Sequence, residues 1–242
     1  MNTLNIDHDK FLFIIVGVGG TGGNFAKEFC RLASSLPKDI DIKIVFMDGD
    51  IVESKNKSRQ PYGDCDISMN KAEVLAERCS AFFDIDIIAN TNYLSSTEQL
   101  TSIFNEYDTH LPILCGCVDN HPARQIMDQI FNKTDNMVYL DSGNEDWYGE
   151  IVCGVKSGGE IILPARSYYF PEVLTDTSLG KEEESCEIKS KSNPQHLITN
   201  LQAAIIMLSY VSELLVMKQI SGNISYFDVT KKFTRTSERV GE

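Results

Sequence analysis

The sequence predicts a mixed α/β fold whose mainly parallel sheet carries helices on both faces, with antiparallel strands in its C-terminal part. Three observations favour this class. Apolar runs alternate with segments of helical periodicity between residues 11 and 143. A glycine-rich turn joins the first apolar run to the first helix. After Gly143, two strand-like runs follow each other with only "SGG" between them, which predicts a hairpin.

The elements follow in order from the N-terminus. Phe11–Val16 is continuously apolar, as expected of a strand covered on both faces. Helical spacing runs from Asn24 to about Ser35, where Pro37 follows. Further strands are predicted in "IDIKIVFMD", "DIDIIANTN", "LPILCGCVD" and "NMVYLDSG", and helices in "MNKAEVLAERCSAFF", "STEQLTSIFNEY" and "HPARQIMDQIFNKT". Such alternation favours a parallel sheet, because a helix after each strand carries the chain back to the end of the sheet where the next strand starts.

The C-terminal part has a different pattern. "YGEIVCGVK" and "GEIILPA" are the hairpin strands, and a polar, charged segment without periodicity predicts a long flexible crossover loop at about residues 171–194. An apolar helix at roughly 195–219, a last strand in "NISYFDVT" and a frayed tail complete the prediction.

Composition narrows the function classes. The formal net charge of −13 over 242 residues weighs against nucleic acid or an anionic membrane as the main partner. No N-terminal signal is visible, and no apolar stretch is expected to reach the ~20 residues that span a bilayer, so a cytoplasmic protein is predicted. Seven cysteines without a C-x-x-C pair argue against a disulfide framework and against zinc.

The glycine-rich turn predicts phosphate binding. Its G-x-G-G-x-G pattern lets backbone N–H groups approach an anion at a helix N-terminus, as in Rossmann-like folds. A tight strand–helix turn, the alternative, needs only one or two glycines. The pattern consists of Gly17, Gly19, Gly20 and Gly22.

Polar side chains follow several of the predicted strands and should converge on this turn, since the carboxyl ends of parallel strands share one edge. They are Asp48, Asp50, Asn56, Arg59, Gln60, Lys71, Asp119, Asn120 and Arg124. Arg124 is the ambiguous member, because within a predicted helix it would serve equally well as a cap or in a salt bridge. A dinucleotide has no use for the other two cations at its phosphates. A nucleoside triphosphate with Mg²⁺ does, because charge builds on the phosphates as they are displaced.

With these motifs in place, the sequence resembles the ThiF/MoeB/HesA superfamily, the ubiquitin-activating-enzyme-like adenylyltransferases, over roughly residues 11–230. The resemblance rests on "GVGGTGG", the "D-x-D…N-x-x-RQ" run, Lys71, "DNHPAR", "SGNEDWYGEIV" and "SCEIKSKSNPQHLITNLQAA". The length and the "GGTGGN" loop also resemble the short ThiF-family proteins of plasmid-borne PRTRC systems.

The resemblance implies one adenylation domain over residues 1–242, with a nucleotide-binding half at 11–143 and a carrier-binding and dimer half at 144–230. It implies an enzyme that uses ATP and Mg²⁺ to adenylate the C-terminal carboxylate of a ubiquitin-like or sulfur-carrier protein with a flexible tail. A homodimer is implied as well. Two alternatives stay open: a nucleotide-binding partner without catalysis, and an adenylating dehydratase that acts on a small or tRNA-borne carboxylate.

The resemblance also assigns roles to residues. The glycine loop would hold ATP and Asp48 its ribose, and Asp119 would hold Mg²⁺. Arg59 and Lys71 would contact the triphosphate and, with Asp119, be catalytic. The other implied ATP-site residues are Asp50, Asn56, Gln60 and Asn120. Cys186 corresponds to the crossover-loop cysteine that some members use for a thioester. Two family features are missing: no arginine precedes Arg31, and the zinc-binding C-x-x-C pairs are absent.

Overall fold

The computed structural model describes residues 4–176 and 196–237. The strands are β1 (Leu4–Asn5), β2 (Lys10–Val16), β3 (Asp41–Met47), β4 (Ile87–Asn90), β5 (Leu111–Gly116), β6 (Met137–Asn144), β7 (Tyr148–Ser157), β8 (Glu160–Leu163), β9 (Gln219–Ile220), β10 (Ile224–Asp228) and β11 (Phe233–Ser237). The α-helices are α1 (Gly20–Ser34), α2 (Lys71–Phe83), α3 (Thr97–Glu106), α4 (His121–Lys133), α5 (Arg166–Tyr169) and α6 (Leu197–Val216). Three short 3₁₀ segments span Ser54–Ser58, Asp64–Asp66 and Pro171–Leu174.

The central sheet confirms the predicted fold class. Its order is β11-β10-β7-β6-β5-β2-β3-β4, with β8 paired to β7. The strands from β4 to β6 in this order pair in parallel, whereas β7, β8, β10 and β11 pair antiparallel. The chain leaves β2 toward β3 and later returns on the opposite side through β5. The carboxyl ends of β2 and β5 therefore flank a topological switch point, where ligands of such sheets bind.

Both faces of the sheet are covered, as the continuous apolar runs predict. One core packs α1, α2 and α6 against side chains such as Phe13, Ile15 and Cys153. The other packs α3 and α4 against the opposite face, which includes Leu12, Ile14 and Leu114. Alternate residues of β2 thus enter different cores, and every side chain from Phe11 to Ile15 is fully buried.

Three local expectations are wrong. The C-terminal tail is not frayed throughout, because Phe233–Ser237 forms β11 along β10. The predicted loop does not begin at residue 171, since Pro171–Leu174 is a 3₁₀ turn. The first helix begins at Gly20, inside the glycine run, rather than at Asn24.

Helix α6 contradicts the expectation that no apolar stretch reaches the length of a membrane span, although it is shorter than the predicted 195–219. Within the described ranges, Leu197–Val216 is long and apolar enough to cross a membrane by length and composition, although half of it is buried inside the protein. Its buried side, which includes Ala203, Met207 and Leu214, belongs to the core. A helix of this kind is the central helix of a packed domain.

Candidate active site

The glycine turn between β2 and α1 is fixed by close backbone packing. Gly17 has φ +82°, and a Cβ there would lie 2.8 Å from the carbonyl oxygen of Cys117. A Cβ on Gly22 would overlap the carbonyl oxygen of Gly17. Side chains at these two positions are excluded by the protein itself, before any ligand is considered.

The N-terminus of α1 opens at this turn. In the described structure, Gly19 at the N-cap provides no side-chain hydrogen bond, and the first turn contains no acidic residue. The first N–H groups of a helix have no partner within the helix, and they carry the positive end of its dipole. The turn, which contains Gly17, Gly19, Gly20 and Gly22, therefore has the chemistry of an anion-binding site, and nucleotide binding there stays a prediction.

Asp48 lies at the end of β3 and ties the turn to the sheet. Its carboxylate accepts the N–H of Val18 at 2.8 Å and the N–H of Asp50 at 2.9 Å. Burial raises the pKa of Asp48, although the nearby Lys71 and these two N–H groups oppose that effect. These hydrogen bonds hold Asp48, the residue predicted to bind the ribose, beside the glycine turn.

Lys71 and Asp50 form a buried ion pair next to Asp48. The Nζ of Lys71 donates to Asp50 at 2.7 Å, and Tyr93 donates to the other carboxylate oxygen. Burial alone would raise the pKa of Asp50, but the bonds from Lys71 and Tyr93 outweigh it and hold that pKa below its ordinary value. The structure therefore brings together three of the predicted site residues.

The segment around Ser54–Ser58 lies over the first turns of α1. The Oδ1 of Asn56 accepts the N–H of Glu53, so this predicted ligand shapes its own segment. The Nδ2 of Asn24 donates to the carbonyl oxygen of Arg59 at 3.3 Å. A Cβ on Gly19 would lie 3.6 Å from the side-chain amide of Gln60, whose buried Oε1 has no partner in the described structure. Arg59 and Gln60 are thereby placed at the helix N-terminus.

The loop after β5 carries the next predicted residues. Asp119 is exposed, and Asn120 caps α4 by accepting the N–H of Ala123 at 2.9 Å. Val118 packs against Gly17, which brings this loop to the turn. No group of three His, Cys, Asp or Glu residues that could hold a metal occurs among residues 4–176 and 196–237. A lone carboxylate that shares the ion with substrate phosphates is nevertheless an ordinary Mg²⁺ site, so Asp119 fits that ion.

Arg124 proves to be a structural residue. Its guanidinium donates to the carbonyl oxygens of Val118 at 2.8 Å and Ser142 at 2.9 Å, and to Asp141 at 3.2 Å. It therefore joins the Asp119 loop to the end of β6. Cys186, the predicted nucleophile, lies outside the described residues.

Two groups of contacts beside these residues escape prediction from the sequence, although one member, Arg124, was named there. A buried ionic network joins Arg124, Asp141, Arg166 and Glu150 beneath the end of β6. A second cluster joins Thr21, Asn144 and Asn200 from three separate elements. Asn144 could have been found, because it ends a predicted strand at the sheet edge where ligands bind.

Comparisons with known proteins place the chain in a family. A family model described as the ThiF family matches residues 9–239. The chain belongs to the ThiF family. This confirms the resemblance inferred from the glycine turn, the Asp48–Gln60 run and the later motifs. A search of curated proteins finds no match.

Solved structures share the ThiF-type fold at low sequence identity. PaaA is 15% identical with a TM-score of 0.68, and this chain covers 65% of it while 97% of this chain is matched. Escherichia coli MccB, solved with AMPCPP and MccA, is 15% identical with a TM-score of 0.64, and 97% of this chain covers 65% of it. MccB solved with ATP is 14% identical with a TM-score of 0.65, over 96% of this chain and 64% of MccB. The chain thus spans about two-thirds of these relatives.

Proposed function

We propose that this ThiF-family protein is an ATP-dependent adenylyltransferase. The observation that carries the proposal is the arrangement around the open N-terminus of α1. Asp48 lies on one side of the glycine turn, the segment with Arg59 and Gln60 lies over it, and the loop before Asp119 packs against Gly17. A ribose, a phosphate chain and a Mg²⁺ ion each have a suitable group within this arrangement.

The residues present suit displacement at the α-phosphate. An oxygen of the substrate carboxylate forms a bond to the α-phosphorus while the bond to the bridging oxygen of the β-phosphate breaks, and pyrophosphate leaves with that electron pair. Arg59 and Lys71 stabilise the charge that develops on the phosphates, Arg59 through its planar fork and Lys71 as a point charge. Mg²⁺ held by Asp119 would neutralise phosphate charge when bound.

The proposed substrate is the C-terminal carboxylate of a small ubiquitin-like or sulfur-carrier protein. Transfer of the activated acyl group to the thiol of Cys186 would follow. The proposed location of the enzyme is the cytoplasm. MccB, a structural neighbour, was solved with ATP and with MccA. That precedent supports a nucleotide and a peptide or protein as the two ligands of this chain. The net charge of −13 disfavours an RNA-borne carboxylate.

Exchange of labelled pyrophosphate into ATP tests the activity. The assay uses a carrier protein that ends in Gly-Gly, and its control is the same carrier with an amidated C-terminus. We expect Mg²⁺-dependent exchange with the free carboxylate alone, because only that group can attack the α-phosphate. Equal exchange with both carriers would contradict activation of the tail carboxylate.

A homodimer is part of the proposal. Helix α6 exposes Ile198, Ile205 and Val216 to more than half of their maximum, and Trp147 is 43% exposed where it stacks on His196. Apolar surface of this kind suits an obligate interface, which typically buries about 2,000 Å² or more. We expect light scattering at micromolar concentration to give twice the 27.1 kDa chain mass. A monomer under these conditions would contradict the dimer.

A further inference from the structure

Thr21, Asn144 and Asn200 form a polar cluster, here called the amide cluster, beside the glycine turn. Thr21 lies in the first turn of α1, Asn144 ends β6, and Asn200 lies in the first turn of α6. Thr21 Oγ1 donates to Asn144 Oδ1 at 3.1 Å and approaches Asn200 Oδ1 at 3.4 Å. Asn144 Nδ2 donates to Asn200 Oδ1 at 3.2 Å. Three elements thus meet at one amide.

The hydrogen bonds of this cluster leave donors in excess. The carbonyl oxygen of Asn200 accepts from Asn144 and lies 3.4 Å from the Thr21 hydroxyl, whereas its Nδ2 has no partner in the part of the chain that the structure describes. Asn200 is completely buried, and a buried donor without an acceptor is costly. Its amide lies directly against Gly20, where a Cβ would overlap Nδ2. An acceptor ligand at the turn would relieve this cost.

The cluster touches the glycine turn at Gly20 but is separate from the side chains proposed to hold ATP. Asp48 follows β3 and Asn144 ends β6, and β2 and β5 lie between these two strands. At the N-terminus of α1, the Gln60 amide faces Gly19 whereas the Asn200 amide faces Gly20. In the proposed mechanism Arg59 contacts the phosphates, so the side of Arg59 and Gln60 would hold the leaving pyrophosphate. The amide cluster lies toward β6 and α6, and Asn144 is partly exposed there.

We propose that the amide cluster holds the acyl group of the substrate beside the α-phosphate. Asn144 and Asn200 donate to the carboxylate oxygen that does not attack, and Thr21 fixes the orientation of both amides. No proton is transferred, and the donors remain bonded to the carbonyl oxygen of the acyl adenylate. This inference rests on the proposed adenylyltransferase function and assigns its acyl-binding residues.

Binding of three nucleotides tests the inference without a known carrier. The probes are AMP, ATP and 5′-O-(N-glycylsulfamoyl)adenosine, a stable mimic of an acyl adenylate. We expect the wild-type protein to bind the acyl mimic at least 10-fold more tightly than AMP. Asn200→Asp replaces the donor by an acceptor and should lower affinity for the mimic by about 10- to 100-fold, with AMP and ATP affinities kept. Asn105→Asp, an exposed change on α3, is the matched control and should alter none of the three.

The outcomes distinguish the inference from the function on which it rests. If ATP binds but the mimic is no tighter than AMP, or if Asn200→Asp keeps the preference, the acyl-binding role is wrong. If the wild type binds no ATP, the adenylyltransferase proposal fails and this inference with it. Should Asn200→Asp not fold, the partly exposed Asn144→Asp decides, and it must show the same selective loss.

Discussion

Arg59→Ala is expected to lower pyrophosphate exchange by about 10²–10³-fold, because a charge-assisted contact to the phosphates is worth about 3–4 kcal/mol in the transition state. The backbone carbonyl of Arg59 accepts a hydrogen bond from Asn24 of α1, which holds this residue beside the first turns of the helix. Arg59→Lys keeps the charge and loses the planar fork, and we expect an intermediate rate. The measurement is the initial rate of exchange at saturating ATP.

Arg31→Ala is the control for that loss. Arg31 lies in the last turn of the same helix and forms an exposed pair with Glu28 at 2.9 Å. Exposed pairs of this kind contribute about 0–1 kcal/mol to stability, so exchange should be unchanged. Full exchange activity in Arg59→Ala would show that the phosphate-binding residues are wrongly assigned.

The second large effect concerns Asp141. This carboxylate is 1% exposed and accepts bonds from Arg124 at 3.2 Å and from the hydroxyl of Tyr139 at 2.6 Å, with the Nε of Arg166 at 3.3 Å. Asp141→Ala would leave two guanidinium groups buried without this partner. Breaking such a buried network costs about 3–5 kcal/mol. We expect a loss of that size in the free energy of unfolding, measured by urea denaturation.

Asp41→Ala provides the matched comparison. Asp41 is 42% exposed and contacts Lys43 at 3.3 Å and His110 at 3.1 Å, and exposed pairs of this kind contribute about 0–1 kcal/mol each. Asp141→Asn removes the charge and keeps the shape, so its cost should fall between those of the two alanine variants. Equal losses for Asp141→Ala and Asp41→Ala would mean that the buried network does not stabilise the fold.

The sheet and its helices could be predicted because their signals are local. Phe11–Val16 is apolar at every position and is followed at once by a glycine turn, which is typical of a strand covered on both faces. The start of α1 is harder to predict. Glycine has a low helix propensity, and yet residues 20–23, three of them glycines, form the first turn of this helix. Strand β11 was missed because "FTRTS" has an edge-strand pattern with exposed side chains and no apolar alternation.

The predicted site residues also differ in how local their sequence signals are. Asp48 and Lys71 could be predicted from their positions after a strand and at the start of a helix, and the structure brings them close through Asp50. Asn200 could not, because its neighbours Thr21 and Asn144 are 179 and 56 positions away in the chain. Arg124 was ambiguous for the same reason, since its partners Asp141 and Ser142 come from the next strand.

Calorimetric titration with Mg-ATP and with NAD tests the central claim that the glycine turn of this ThiF-family protein binds a nucleoside triphosphate. We expect Mg²⁺-dependent binding of ATP and negligible binding of NAD, because the residues around the turn suit a phosphate chain and offer nothing specific to a nicotinamide. Gly22→Ala places a Cβ against the Gly17 carbonyl and should abolish ATP binding. Tight binding of NAD without binding of ATP would contradict the claim.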